Sequence, residues 1–220
     1  MGLKSRFSMA FLLIGVLIIV GILYLGLYQN FQWGNDIQPG TEGQTAASGG
    51  KLGVGMTITF ADGSSREVDP SQIQFTLFPL TVYFEGQPIS SVTWHAYVQL
   101  DWVGTMTSLE LKGPMEVKSN TGVQLRKENM LKTYTSSNLP PKGGWFEMWK
   151  FSLTAADIEY SLPQTGDYTL TCTINVTATA MFSSGLQSVK TASASGNIPI
   201  KIQASGLTAL LCDIQVQTFK

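Results

Sequence analysis

The chain has 220 residues, a formal net charge of −1 and 13% charged side chains, against roughly 25% in ordinary soluble domains. That length holds one sizeable domain, or one domain and an appendage. Its near-neutral balance is neither basic nor acidic enough to expect nucleic acid or a polyanion as partner.

Residues 1–6 are short and basic, with Lys4 and Arg6. Residues 7–28, "FSMAFLLIGVLIIVGILYLGLY", contain no charge. As a helix, at about 1.5 Å per residue, they reach roughly 33 Å, enough to cross a hydrocarbon core of ~30 Å. The run is longer than the 7–15 residues or so of a secretory h-region, and no small-x-small pair follows it. Tyr24, Tyr28 and Trp33 mark its far end, where amphipathic aromatics favour the headgroup zone. The segment reads as an uncleaved signal-anchor, with the N-terminus cytoplasmic and the remainder extracytoplasmic. Residues 29–50 form a juxtamembrane segment and spacer. The composition of "GNDIQPGTEGQTAASGGKLG" (34–53) is that of a flexible linker.

From Lys51 the apolar period becomes two, and a β domain is expected over 51–220. "LGVGMTITF" alternates Leu52, Val54, Met56, Ile58 and Phe60. An Asp-Gly turn follows, then "IQFTLF", then a long alternating run ending "TWHAYVQLDW". "YTLTCTINVTATAMF", "NIPIKIQ" and "ALLCDIQVQTF" supply further strands. One or two helical turns are expected in "TGVQLRKENMLKTY". Eight to ten strands with turns between them make the fold class mainly β: one N-terminal transmembrane helix followed by an antiparallel sandwich.

Two resemblances bear on this outline. Gly166-Asp167-Tyr168 leading into Thr169-Leu170-Thr171-Cys172 resembles the corner and following strand of immunoglobulin-like or fibronectin-III-like domains. That implies an Ig-like sandwich with a tyrosine corner, in which the Tyr168 hydroxyl bonds back to the corner backbone. An apolar N-terminal helix joined to a β head also resembles archaeal-type pilins and archaellins, and "KSRFS" offers the basic residues of a leader junction without its Gly or Ala.

Candidate site residues are few. Cys172 and Cys212 lie in expected strands on the external side, where a disulfide would close a loop of about 40 residues and add about 3–4 kcal/mol; otherwise both are buried thiols. Trp145 and Trp149 in "GGWFEMWKF" alternate onto one face, as an exposed contact surface for a subunit, membrane or glycan. Asn175-Val176-Thr177 is a glycosylation sequon. The single histidine, His95, alternates with Trp94 onto an outward, exposed face. "DGSSREVD" (62–69) lacks the oxygen-ligand spacing of an EF-hand calcium loop. No residue is assigned to catalysis, to a cofactor or to a metal, and no small-molecule substrate is evident. The sequence thus suggests a non-enzymatic, membrane-anchored structural subunit of a surface or envelope assembly: a virion membrane protein, a cell-surface filament or an S-layer-associated component. Its partners would be the bilayer and other protein subunits. Alternatives are a pilin-like filament subunit, an accessory subunit of a membrane enzyme complex, and an adhesin or receptor head.

Overall fold

A computed structural model describes residues 47–72, 80–83, 86–209, 211–214 and 216–219. The expected anchor at 7–28, the spacer up to residue 46 and the "IQFTLF" strand (73–78) lie outside the described residues. Among the described residues no helix is long and apolar enough to cross a membrane.

The chain divides into Met1–Gly43 and Gln44–Lys220, and the second unit is built almost wholly of antiparallel strands. β1 (Ala47–Phe60) pairs along its length with β4 (Ile89–Val103), which pairs with β7 (Trp145–Thr154). The other edge of β1 is shared: β12 (Val216–Thr218) takes Lys51–Gly53, and β2 (Ser65–Val68) takes Met56–Thr59. The second sheet runs in the order β3 (Leu80–Tyr83), β11 (Leu211–Ile214), β9 (Gln187–Gln203), β8 (Gly166–Phe182), β5 (Met106–Ser119) and β6 (Gln124–Thr135), with β10 (Gly206–Ala209) beside β9. The mainly β, antiparallel expectation is met.

Alternation sorts the side chains as the strand period requires. Leu52, Val54, Met56 and Ile58 of β1 are fully buried, as are Leu111, Met115 and Val117 of β5 and Leu170, Cys172 and Ile174 of β8. The two sheets pack closely at Gly196, where an added Cβ would stand 3.0 Å from Val54 Cγ1 and 3.1 Å from Met56 Cε. β7 and β8 are joined through helix α1 (Ala155–Ser161), which inserts the fully buried Ile158. Thr154 caps it: the hydroxyl accepts from the Asp157 amide, and the Asp157 carboxylate accepts from the Thr154 amide.

Three expectations are corrected. The spacer ends earlier than residue 50, because Ala47–Gly50 already belong to β1. Small residues suit that end of the strand, since a Cβ at Gly50 (φ +153°) would overlap the Gln99 carbonyl of β4. The helical turns expected in 121–134 are strand β6, paired with β5 from Ser108↔Thr135 to Lys118↔Gln124. The stretch from Met106 to Ser119, given no element on sequence, is a central strand.

Candidate functional site

The outward face of the first sheet carries a polar network across four strands. Register places His95 opposite Gly55 on one side and Lys150 on the other. Glycine at 53 and 55 leaves the pleat open there, and neighbouring groups lie flat in the gap: a Cβ on Gly55 would be 2.5 Å from Tyr97 Cε2, and one on Gly53 2.6 Å from Pro70 Cβ. Under this cover His95 is only 7% exposed, which corrects the expectation of an exposed histidine. Its Nδ1 stands 2.6 Å from Glu147 Oε2 and its Nε2 2.8 Å from Thr57 Oγ1. With the ring proton on Nδ1 donated to the carboxylate, Nε2 accepts from the threonine hydroxyl, and every polar atom of the ring is satisfied. The Tyr97 ring stacks on His95 at 5.8 Å, and its hydroxyl donates to Glu67 Oε1 at 2.8 Å. Burial, reinforced by that carboxylate, pushes the Tyr97 phenol well above its usual range, so it stays a donor. Lys150 Nζ lies 3.4 Å from Glu147 Oε1.

The order hydroxyl, imidazole, carboxylate is that of an activated nucleophile. Such a site also needs amide donors aimed at a developing oxyanion. Here Thr57 sits in a strand paired on both sides, opposite Glu67 of β2 and Thr93 of β4, so the surrounding backbone is engaged in ladders. The network joins β2, β1, β4 and β7 through side chains.

Trp145 and Trp149 are both half-buried rather than exposed. A register shift between Ala96 and Tyr97 leaves Met148 without a partner residue on β4, and this bulge breaks the simple alternation of β7. Trp149 turns toward β6 of the other sheet, where Nε1 donates to Glu128 Oε2 at 3.3 Å and Lys132 Nζ lies 5.3 Å from the ring centre. Arg126 stands over Phe151 at 5.2 Å and donates to the Ser152 carbonyl, and Tyr134 meets Phe146 edge to face at 6.1 Å. Alternate residues of β6 thus close this side of the sandwich. Trp145 pairs with Gln99 at the other end of β7, some distance from Trp149.

Cys172 is a buried free thiol, which corrects the disulfide expectation. The register explains it: Cys172 and Ile214 both oppose Gly196, from the two sides of β9. Cys212 precedes Ile214 by two residues, so the two Cα atoms are two strands and two residues apart, about 11 Å. A disulfide needs less than ~7 Å. Asn175 is exposed on the outward face of the second sheet and lines a depression of about 420 Å³ together with Gly113, Pro114, Thr177, Thr191 and, from β12, Gln217 and Thr218. The depression lies where β5 and β8 skip two pairs between Lys112↔Thr177 and Met115↔Ile174, Pro114 having no amide to offer.

Tyr168 donates to the Gln164 carbonyl at 3.1 Å, the bond expected of the corner motif. Asp62 is spent on its own turn, accepting from the Ser64 amide and hydroxyl, and Asp69 accepts from the Ser71 amide. Among the described residues no group of three or more His, Cys, Asp or Glu is placed to hold a metal ion. No family model, no curated protein and no solved structure matches the chain.

Proposed function

We propose that this protein is a membrane-anchored structural subunit of a surface or envelope assembly, non-enzymatic, with its N-terminus inside and its β head outside. The observation that carries this reading is the outward face of the β8–β9 hairpin. Four successive outward cross-strand pairs there, Thr171↔Asn197, Thr173↔Ser195, Asn175↔Ser193 and Thr177↔Thr191, are all uncharged. They cover about 20 Å along the strands. At the rim, on β5, the charges neutralise one another within the strand: Glu110 with Lys112 and Glu116 with Lys118, both at 2.8 Å. A long, uncharged, hydrogen-bonding face with a neutral rim suits side-by-side contact between copies, because no like charges meet and few ions are desolvated.

The test is the mass of the assembly in mild detergent, read by native mass spectrometry with N-terminal sequencing. A large homo-oligomer is expected, dissociated by Thr173→Lys with Ser195→Lys while the unfolding temperature stays within a few degrees. A wild-type monomer overturns the reading. A mature N-terminus near Phe7 would convert it to the pilin-like alternative.

A further inference from the structure

We infer that the end of the head at which β1 begins rests on the bilayer surface; this deepens the membrane-anchored reading and depends on it. The strand registers bring one set of connections to that end. Ala47 pairs with Val103, so the β4–β5 turn is there; Met106 pairs with Phe182, which adds the β8–β9 turn; and Ser108 pairs with Thr135, which adds the start of the β6–β7 loop. The rest of that loop returns to the same level, where the Gln99 amide donates to the Gly143 carbonyl at 2.7 Å.

In these connections (104–105, 136–144 and 183–186) the only charged residue is Lys142. Its Nζ lies 3.5 Å from Asp101 Oδ1 and 6.0 Å from the Trp102 ring centre. Around this neutral pair the end presents Val103, 56% exposed, with half-buried Trp102, Trp145 and Leu186. The remainder is Leu139, half-buried, with Gly, Ser, Thr, Asn and Pro. Trp beside Lys, with no other net charge in these connections among the described residues, is the composition of a headgroup-level contact: the indole prefers the interface and the ammonium reaches phosphate.

The opposite end differs. Its turns and α1 carry Asp62, Asp157 and Glu159, and no Lys or Arg stands in 61–64, 120–123 or 155–165. The occupant is set by connectivity. Whatever precedes Ala47 is bonded to the chain at the neutral end, and the uncharged run closes at Tyr28. About 18 residues lie between, a reach of at most about 60 Å. Tethering at that range makes even a weak surface contact effectively intramolecular.

The experiment uses the full chain reconstituted in phosphatidylcholine vesicles, with and without lipid brominated near the headgroup. Bromine quenches nearby tryptophan; Trp94, fully buried in the core, stays bright, and Trp33 supplies a constant quenched background. Trp102→Phe and Trp145→Phe are each expected to remove part of the quenched emission, and a tryptophan introduced by Val123→Trp at the opposite end is expected to remain unquenched. Near-UV circular dichroism checks that each variant is folded. If the chain floats with the vesicles but neither Phe substitution changes the quenched fraction, the docked end is wrong and the anchor stands. If the chain does not float, the anchor reading falls and the docking falls with it.

Discussion

Gly55 and His95 show how a small residue on one strand determines what its neighbour can be. With hydrogen at 55, the Tyr97 ring lies over β1, covers His95 and keeps its bond to Glu67. Gly55→Ala drives a Cβ to 2.5 Å from that ring, and the ring has no flexible end with which to yield. The expected loss is about 1–3 kcal/mol, read as a lower urea midpoint at unchanged slope; an unchanged midpoint would mean that the cover is not needed. Cys172 gives a second prediction. Burial, with a smaller contribution from Glu116, pushes its thiol well above the usual value. A raised thiol favours the fold only in the neutral form, so this contribution is whole below about pH 9 and declines as pH rises further. In the folded protein at pH 8 Cys172 should resist alkylation, and should react fully in urea; peptide mapping without reductant should show no Cys172–Cys212 bond. Of these features, the strand positions of His95 and Cys172 and the outward side of His95 were legible in sequence; the cover over His95 was not. Gly-x-Gly at 53–55 was the available signal for a covered outward face, and it reads as such only once the residue opposite it is known.

Elements were legible where pattern and partner agreed. β1, β4, β8 and β12 follow from alternation or β-branched composition. β6 did not, because "LRKENMLK" combines good helix formers, and only pairing with β5 makes Arg126, Glu128, Met130, Lys132 and Tyr134 one face. β5 was hidden by Gly113-Pro114 in its middle. A Cβ at Gly113 would overlap the Asn175 carbonyl, so Gly113→Ala is expected to break the β5–β8 ladder and cost more than about 2 kcal/mol. Amide exchange across Lys112–Met115 should rise well before global unfolding if so. At α1, the Thr154 hydroxyl and then its amide hold the Asp157 carboxyl below the usual range. A lowered carboxylate stabilises the cap above the unfolded-chain value of 3.8 and ceases to do so as pH falls through the lower folded value. Amide exchange in α1 should therefore accelerate below about pH 4, before the sheets respond; uniform exchange across α1 and β8 would contradict a local cap.

At the scale of the whole molecule the C-terminal strands decide closure. β12 covers the free edge of β1, and β11 joins β3 to β9, with Ile214 and Val216 buried. Removing residues 206–220 uncovers the edge of β9 and the Lys51–Gly53 part of the β1 edge that β2 does not reach, so the truncated chain should lose its cooperative thermal transition and aggregate. A soluble, cooperatively unfolding product would show that the sheets close without them. The pairings of β12 with β1 and of β11 with β3 join residues well over 100 positions apart, Lys51↔Thr218 being the widest; refolding should be correspondingly slow.

The sequence by itself determined what depends on composition and local period: a chain poor in charge, an uncharged run long enough for a bilayer, and a body of alternating strands with a tyrosine at one corner. Tertiary structure decided what depends on register. Cys172 and Cys212 both read as strand residues, yet β9 stands between their strands and keeps them apart. Trp145 and Trp149 read as neighbours on one face, yet a bulge in β7 and the approach of β6 separate their surroundings. His95 reads as outward, which it is, but two glycines on the adjacent strand let other side chains cover it. Period says which side of its own strand a residue occupies. Only the pairing of strands distant in sequence says what lies opposite.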